Sequence, residues 1–319
     1  MGTTNMSGRN VRPWWRWPLR LLLTATTLMA ILAAYAAWIV LRFDTEHLPP
    51  RYGEVDAQLF LPDQEGESPR PLLVLLGGAE GGNAWASRRW QAQRQRFLDQ
   101  GFALLAIGYF GLPNTPQHLD RIAVEGVHAA IADAASDSRI NGHCIGVIGG
   151  SRGSELALLL GSHYPEIDAV IALTPASAVF VSLTDAMITS GYAFEGEPLP
   201  FVPMSWSATL NLIVGDIGGA MRKLTADETA MALAAIAVER INGPILLVSA
   251  VNDEMWPSRD MADRIMQRLQ ASGFAHAHEH LAMPGGHEEP LRAFPQIEAF
   301  LQAHMLASGQ AGCGGPVRE

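Results

Sequence analysis

Apolar residues are arranged in two regimes along this chain. The first is one unbroken block, Leu21 to Leu41 (LLLTATTLMAILAAYAAWIVL), with no charged position. At about 1.5 Å of rise per residue such a helix is roughly 31 Å long, the thickness of a bilayer core. The second regime is a series of short apolar runs set between polar or helix-periodic stretches. Leu72–Leu76, Phe102–Ile107, Ile145–Ile148, Ala169–Leu173 and Ile245–Ser249 are continuous enough to be strands buried on both faces. Val55–Leu61 alternates as an exposed strand does, and a last strand is expected over about Ala275–Ala282. Between them, Trp85–Gln100, Leu119–Ser136, the stretch after Ser151 and Asp260–Gln270 carry helical periodicity. Strands alternating with helices of these lengths predict an α/β fold, a mostly parallel sheet covered on both faces. Residues 178 to about 240 break the rhythm, with Pro198, Pro200 and Pro203 close together, and are expected to form a small lid insertion. The expected organisation is a basic segment 1–20, a membrane anchor 21–41, a linker 42–54, a catalytic domain 55–307 and a disordered tail 308–319.

Charge sharpens the reading of the first block. Arg9, Arg12, Arg16 and Arg20 precede it without an acidic residue, and Arg42, Asp44 and Glu46 follow. Positive charge stays on the cytoplasmic side, so the N-terminus is expected inside and the domain outside, in the periplasm if the source is a Gram-negative bacterium. Trp14, Trp15 and Trp17 suit one interface of a bilayer and Trp38 the other. The alternative is a signal peptide cleaved near Ala34-Tyr35-Ala36, which would leave a secreted domain; the apolar stretch is longer than a usual signal core. Residues 1–42 hold five arginines and no acid, so the chain's formal charge of −10 leaves −15 on the remainder. An acidic surface of this kind argues against nucleic acid as a partner. Of two cysteines, Cys144 leads into a strand and is expected to be buried, and Cys313 lies in a Gly-rich tail. A bridge between them is possible outside the cytoplasm, and no zinc-type spacing exists. No oligomeric state is assigned.

The chemistry centres on Ser151, in Gly149-Gly150-Ser151-Arg152-Gly153, between an apolar strand and the helical run Glu155–Leu160. Strand, sharp turn and helix with serine at the tip form the nucleophile elbow of an α/β-hydrolase. In that fold an acid and then a histidine follow, each on a loop after a strand. Asp253, just past Ile245–Ala250, is the expected acid, with Glu254 as its rival; His287, in Pro284-Gly285-Gly286-His287, is the expected base. An oxyanion needs preorganised backbone donors. The amides expected to supply them are those of Arg152 and of Ala79, with Gly78 as the alternative, in the loop Gly77-Gly78-Ala79-Glu80-Gly81-Gly82. That loop lacks the ending of a P-loop and the spacing of a dinucleotide fingerprint. Gly78, Glu80 and Phe201 are expected to touch substrate, and Glu80 to pair with Arg88 or Arg89. Phe180, Phe194, Phe201 and Trp206 in the insertion point to a hydrophobic acyl group. No metal or cofactor is expected. His276, His278 and His280 alternate on one strand face, read as an exposed polar face rather than a zinc site.

Ser151 in its Gly-x-Ser-x-Gly setting, Asn252-Asp253-x-x-Trp256-Pro257-Ser258 and Pro284-Gly285-Gly286-His287 together resemble the catalytic domain of the acyl-CoA thioester hydrolase / bile acid-CoA:amino acid N-acyltransferase family. Leu104–Gly111 with Leu112-Pro113, and Glu197-Pro198-Leu199-Pro200-Phe201, are similar to it too, so that the likeness runs over about residues 70 to 305. In that family the nucleophile is serine in the thioester hydrolases and cysteine in the amino-acid transferases, so Ser151 implies hydrolysis of an acyl ester or thioester through an acyl-enzyme. An anchor-like segment stands where that family carries an N-terminal β-sandwich domain. The alternatives are an acyltransferase that passes the acyl group to an amine or alcohol, and, from a different class, an inactive membrane-anchored binding domain.

Overall fold

The structure, a computed structural model, describes residues 16–62 and 69–306. Most of the basic segment, the polar loop over 63–68, Cys313 and the expected tail lie outside the described residues. The chain divides into two compact units, Met1–Asp44 and Thr45–Glu319. In the first, α1 (Arg16–Arg42) is a single helix. Its stretch Arg20–Arg42 is long and apolar enough to cross a membrane, and none of that stretch is buried.

The second unit is built on a seven-stranded sheet. In chain order its strands are β1 (Asp56–Phe60), β2 (Arg70–Leu76), β3 (Ala103–Gly108), β5 (Ile140–Gly150), β6 (Ala169–Leu173), β9 (Ile245–Ala250) and β10 (His278–Met283). In space they run β1-β3-β2-β5-β6-β9-β10. All neighbours are parallel except β1, which pairs antiparallel with β3 at the edge. The helices are α2 (Gln91–Asp99), α3 (Val124–Ala135), α4 (Arg152–His163), α8 (Ser258–Ala271) and α9 (Phe294–Leu301). Side chains on β2 show how the layers form. Leu72, Val74 and Leu76 pack into one core with residues of α3, α4 and α8, while Leu73 and Leu75 pack into a second with residues of α2 and α9. Alternate side chains of a strand point to opposite faces, so a strand covered on both sides must be apolar at every position.

The insertion between β6 and β9 covers residues 174–244, a little more than expected. It holds β7 (Tyr192–Phe194) and β8 (Glu197–Pro198), which join β4 (Ile122–Ala123) in a small second sheet, then α5 (Trp206–Ile213), α6 (Ile217–Thr225) and α7 (Glu228–Leu233). Ala208, Ala220 and Leu224 of these helices pack with Phe180, Val202, Trp256 and Met261 in a third core.

Three expected elements differ. The helix over Leu119–Ser136 begins only at Val124, because Leu119 bridges Leu183, Arg121 has φ +45° and Ile122–Ala123 pairs with β7. The helix over Trp85–Gln100 is two 3-10 turns followed by α2. There the Trp85 indole donates to Leu76 O at 3.2 Å and the Arg94 guanidinium donates to the carbonyls of Trp85 and Ser87, so local polar contacts displace regular helix. The histidine face of the last strand is not exposed. His276 precedes β10, and it is Ala275, Ala277 and Glu279 that face solvent. His280 Nε2 lies 2.7 Å from Ser249 Oγ and Nδ1 3.2 Å from Asp263. No cluster of metal-ligating side chains exists among the described residues.

Candidate active site

Parallel strands deliver the loops at their carboxyl ends to one rim of the sheet. Ser151 leaves β5 at that rim with φ +52° and ψ −121°, a conformation costly for any residue with a Cβ. Its amide donates to Leu173 O at 2.9 Å and to Thr174 Oγ1 at 3.1 Å, and its carbonyl accepts from Ser154 N and Oγ. The strained turn is therefore held from both sides. Two glycines make room for it. A Cβ on Gly149 would stand 2.0 Å from Gly153 O, and one on Gly153 would stand 2.2 Å from Gly77 O. Gly150 has no such constraint, since its Cβ would meet only Leu291 at 3.9 Å.

His287, on the loop after β10, places Nε2 3.1 Å from Ser151 Oγ. Its Nδ1 lies 2.9 and 3.1 Å from the two carboxylate oxygens of Asp253, on the loop after β9. Asp253 also accepts from the amides of Met255 and Trp256 and, at 2.6 Å, from Ser258 Oγ. Burial pushes this carboxyl up, but the bonds from His287 and Ser258, the imidazole's charge and the Trp256 amide outweigh it and leave the pKa below the ordinary carboxylate value. The rival acid Glu254 has a different place. Its Oε2 accepts the backbone amide of His287 at 2.9 Å, so it grips the histidine's loop rather than its ring. Chemically, the arrangement can draw the proton from Ser151 Oγ and stabilise the resulting imidazolium.

A cavity of about 570 Å³ opens beside these groups. Its walls are the Gly77–Gly81 loop, Trp85, Trp90, Ser151, Thr174, Met255, His287 and Leu291. A smaller hollow of about 410 Å³ continues past His287 toward Glu254, Glu289 and Arg292. Gly78, Ala79 and Glu80 line the main cavity. A Cβ on Gly78 would lie 3.1 Å from Ser151 Cβ and 2.9 Å from Glu80 Oε2. Glu80 thus folds over its own loop, and among the described residues no ion pair joins it to Arg88 or Arg89. Arg152 starts α4, where backbone amides have no partner within the helix. Its side chain turns inward to Glu155, at 3.0 Å, and to the carbonyls of Phe180 and Val181. Burial raises the Glu155 carboxyl to about 7, against the lowering pull of Arg152 and the Phe180 amide.

The insertion contributes less than expected. Phe201 does not line the cavity; it packs against the core that Leu72, Val74 and Leu76 share with α3, α4 and α8. Phe180 is buried against Trp256, Phe194 stacks on His163, and Trp206 is 88% exposed. No residue of 178–240 forms a wall of the main cavity.

A family model described as BAAT / Acyl-CoA thioester hydrolase C terminal matches residues 127–319, more than half of the chain. The chain belongs to this family. Among curated relatives, mouse acyl-coenzyme A thioesterase 1 is 27% identical over 270 residues, which is 84% of this chain and 59% of that protein. Mouse acyl-coenzyme A amino acid N-acyltransferase 1 is 27% identical over 236 residues, 74% of this chain and 52% of that protein. The chain spans a little over half the length of these relatives. Among solved structures, the acylaminoacyl peptidase of Pyrococcus horikoshii matches with TM-score 0.55 at 12% identity, over 83% of this chain and 41% of that one. The α/β hydrolase GrgF from Penicillium sp. matches with TM-score 0.51 at 13% identity, over 79% of this chain and 99% of that one. These likenesses show the α/β-hydrolase fold.

In this family member, two groups at the site were not singled out as contributors from sequence, Thr174 and Ser258, and Glu254, weighed there as the rival acid, holds the His287 amide instead. Ser258 carried a visible signal, lying within the Asp253-to-Ser258 segment that carries the resemblance. Thr174 and the Glu254 contact depend on neighbouring strands ending at one level, which no local pattern encodes.

Proposed function

We propose that the chain is a serine hydrolase of acyl esters or thioesters, working through an acyl-enzyme on Ser151. The observation that carries this is the continuous path from Ser151 Oγ to His287 Nε2 and from Nδ1 to Asp253. His287 takes the Ser151 proton as Oγ adds to the substrate carbonyl. The carbonyl electron pair moves to oxygen, and the amides of Ala79 and Arg152 are the donors assigned to it. The intermediate collapses, the thiolate or alkoxide leaves with the proton from His287, and the acyl group stays on Oγ. Water then repeats the sequence, releasing the acid and restoring Ser151. Asp253 holds the proton on Nδ1 throughout. Gly78 and Glu80 border the place where the carbonyl carbon must sit.

We assign α1 as a membrane anchor, with the N-terminus in the cytoplasm and the hydrolase unit outside, since arginines gather before the apolar stretch. The test is a fluorophosphonate probe on the full chain, followed by turnover on a panel of acyl-CoA thioesters and p-nitrophenyl esters. Labelling at Ser151 that disappears in Ser151→Ala supports the reading; folded protein that takes no label there sinks it. The relative named an N-acyltransferase favours a second reading, transfer to an amine. Adding glycine or another amine during turnover separates the two, because transfer yields the amide and hydrolysis the free acid.

A further inference from the structure

Helix α5 is amphipathic the wrong way round for a soluble surface. Trp206, Leu210, Ile213 and Val214 are 88%, 64%, 74% and 77% exposed, and Ile217 at the start of α6 is 46% exposed. Spacing puts Trp206, Leu210 and Ile213 on one stripe of α5, and Val214 and Ile217 follow at its end and at the start of α6. The side facing the protein holds fully buried Ala208, while Asn211 bonds Asp216 and Lys223. Lys223 also donates to Ser207 O, so its charge is drawn to the helix flank rather than over the stripe. Scattered apolar residues on a surface need no explanation, but a contiguous stripe of large ones does.

Where this stripe lies says what covers it. Asp56 at the start of β1 pairs with Gly108 at the end of β3. The chain therefore enters the hydrolase unit at the rim where the parallel strands end, the rim that carries Ser151, Asp253 and His287 and from which the insertion leaves. The entering residues are moored there. Arg121 holds the carbonyls of Thr45 and His47, and the Tyr52 hydroxyl bonds Glu125 and accepts from the Gly196 amide in the insertion. Between the end of α1 at Arg42 and moored Thr45 there are three residue steps, at most roughly 10 Å of chain. If α1 spans a bilayer, the point where the chain enters this unit at Thr45 stays within roughly 10 Å of the end of that helix. Leu183 and Ile188, 36% and 37% exposed, lie in the loop fixed to Asp120 and Arg121 through Thr189 and Ser190. The stripe also leads to the site. A Cβ on Gly218 would strike Glu254 O at 2.3 Å, and the next residue, Met255, is 38% exposed and lines the cavity.

We infer that the stripe on α5 and the start of α6 is seated in the bilayer interface beside the anchor, so that the cavity takes acyl esters or thioesters carried in the membrane. Tryptophan and aliphatic side chains on one helix face are what an interfacial helix presents to headgroups and acyl chains. The inference rests on the anchor reading of α1, and the test separates them. The full chain, in nanodiscs containing alkyne-tagged phosphatidylcholine, carries p-benzoylphenylalanine singly in place of Met29 in α1, Leu210, Ile213, or Arg139 at the opposite end of β5. After irradiation, lipid adducts at 29, 210 and 213 but not at 139 are expected. Adducts at 29 alone leave the anchor standing and overturn the inference, as does crosslinking of 210 or 213 to a second copy of the chain. No adduct at 29 overturns the anchor and the inference with it. A second readout uses Leu210→Ser with Ile213→Ser. Turnover of a long-chain ester in vesicles is expected to fall severalfold while a short, water-soluble ester is hydrolysed as before; an equal effect on both overturns the inference.

Discussion

Replacing Asp253 by asparagine tests how the imidazole is held, and the surrounding bonds say which way the amide must sit. Oδ1 accepts from the Met255 and Trp256 amides at 3.0 and 3.1 Å. Only the oxygen of an asparagine can satisfy those two donors, so its NH2 falls at the Oδ2 position. There it faces Ser258 Oγ, 2.6 Å from Oδ2, and His287 Nδ1, 3.1 Å away. Nδ1 then lies between that NH2 and the retained oxygen, 2.9 Å away, and in every molecule where the NH2 donates to Nδ1 the ring proton sits on Nε2. Nε2 now points a hydrogen at Ser151 Oγ, 3.1 Å away, and has no lone pair with which to take its proton. The charge that stabilised the imidazolium is lost as well. A wrong tautomer in an otherwise intact site costs about 10⁴ in kcat, or about 5 kcal/mol of barrier. The assay is turnover of a p-nitrophenyl ester together with the rate of fluorophosphonate labelling, on protein whose thermal midpoint is checked first. KM is expected to change little. A second readout is acid stability. The native carboxyl titrates below its ordinary value, so its contribution is complete above that value and is lost as pH falls through the lowered one. The asparagine variant should lack that part of the acid-side loss. Turnover and labelling within tenfold of wild type, in protein of unchanged thermal midpoint, would refute the reasoning.

Other substitutions probe the frame around this set. Glu254→Ala frees the amide of His287 and is expected to lower kcat about tenfold with KM nearly unchanged, whereas Glu254→Gln keeps an acceptor and most of the rate; an equal loss in both would assign the role to charge. Gly153→Ala drives a methyl into Gly77 O and should cost about 3 kcal/mol, roughly 6–12 °C in thermal midpoint, while Gly150→Ala, with open space around it, should cost almost nothing by the same scan. Glu155, with its carboxyl raised to about 7 chiefly by burial, contributes stability that is present below its unfolded value and drains away as pH rises toward 7 and beyond. The thermal midpoint should therefore decline between about pH 5 and 8 in the native chain. It should decline less steeply in Glu155→Gln, which has no titrating group beside Arg152. Equal slopes in a pH series of melts would remove Glu155 as the cause.

What was legible in the sequence was whatever short-range pattern encodes. The elbow at Ser151 is a strand, a turn and a helix in fifteen consecutive residues or so, and such neighbours need no tertiary information. Asp253 and His287 were legible because each follows an apolar run directly, and parallel strands send such positions to one rim. The contact between Glu254 and the amide of His287 was not legible, because it depends on how the loops after β9 and β10 lie together. Phe201 and Phe194 were misplaced for a related reason. Apolar character marks a residue for burial without saying against what, and here the core and His163 claim them rather than the cavity.

The same reasoning explains α5. Periodicity reports that Trp206, Leu210 and Ile213 share a stripe, and the usual inference turns such a stripe inward. Packing decides the direction, because the groove beneath α5 is already filled by Ala208, Leu212 and Met204 against Trp256 and Phe180. With the inward side complete, the stripe needs an apolar phase that the hydrolase unit itself does not supply. The chain carries a segment suited to just such a phase, Arg20–Arg42, joined by three residue steps to moored Thr45.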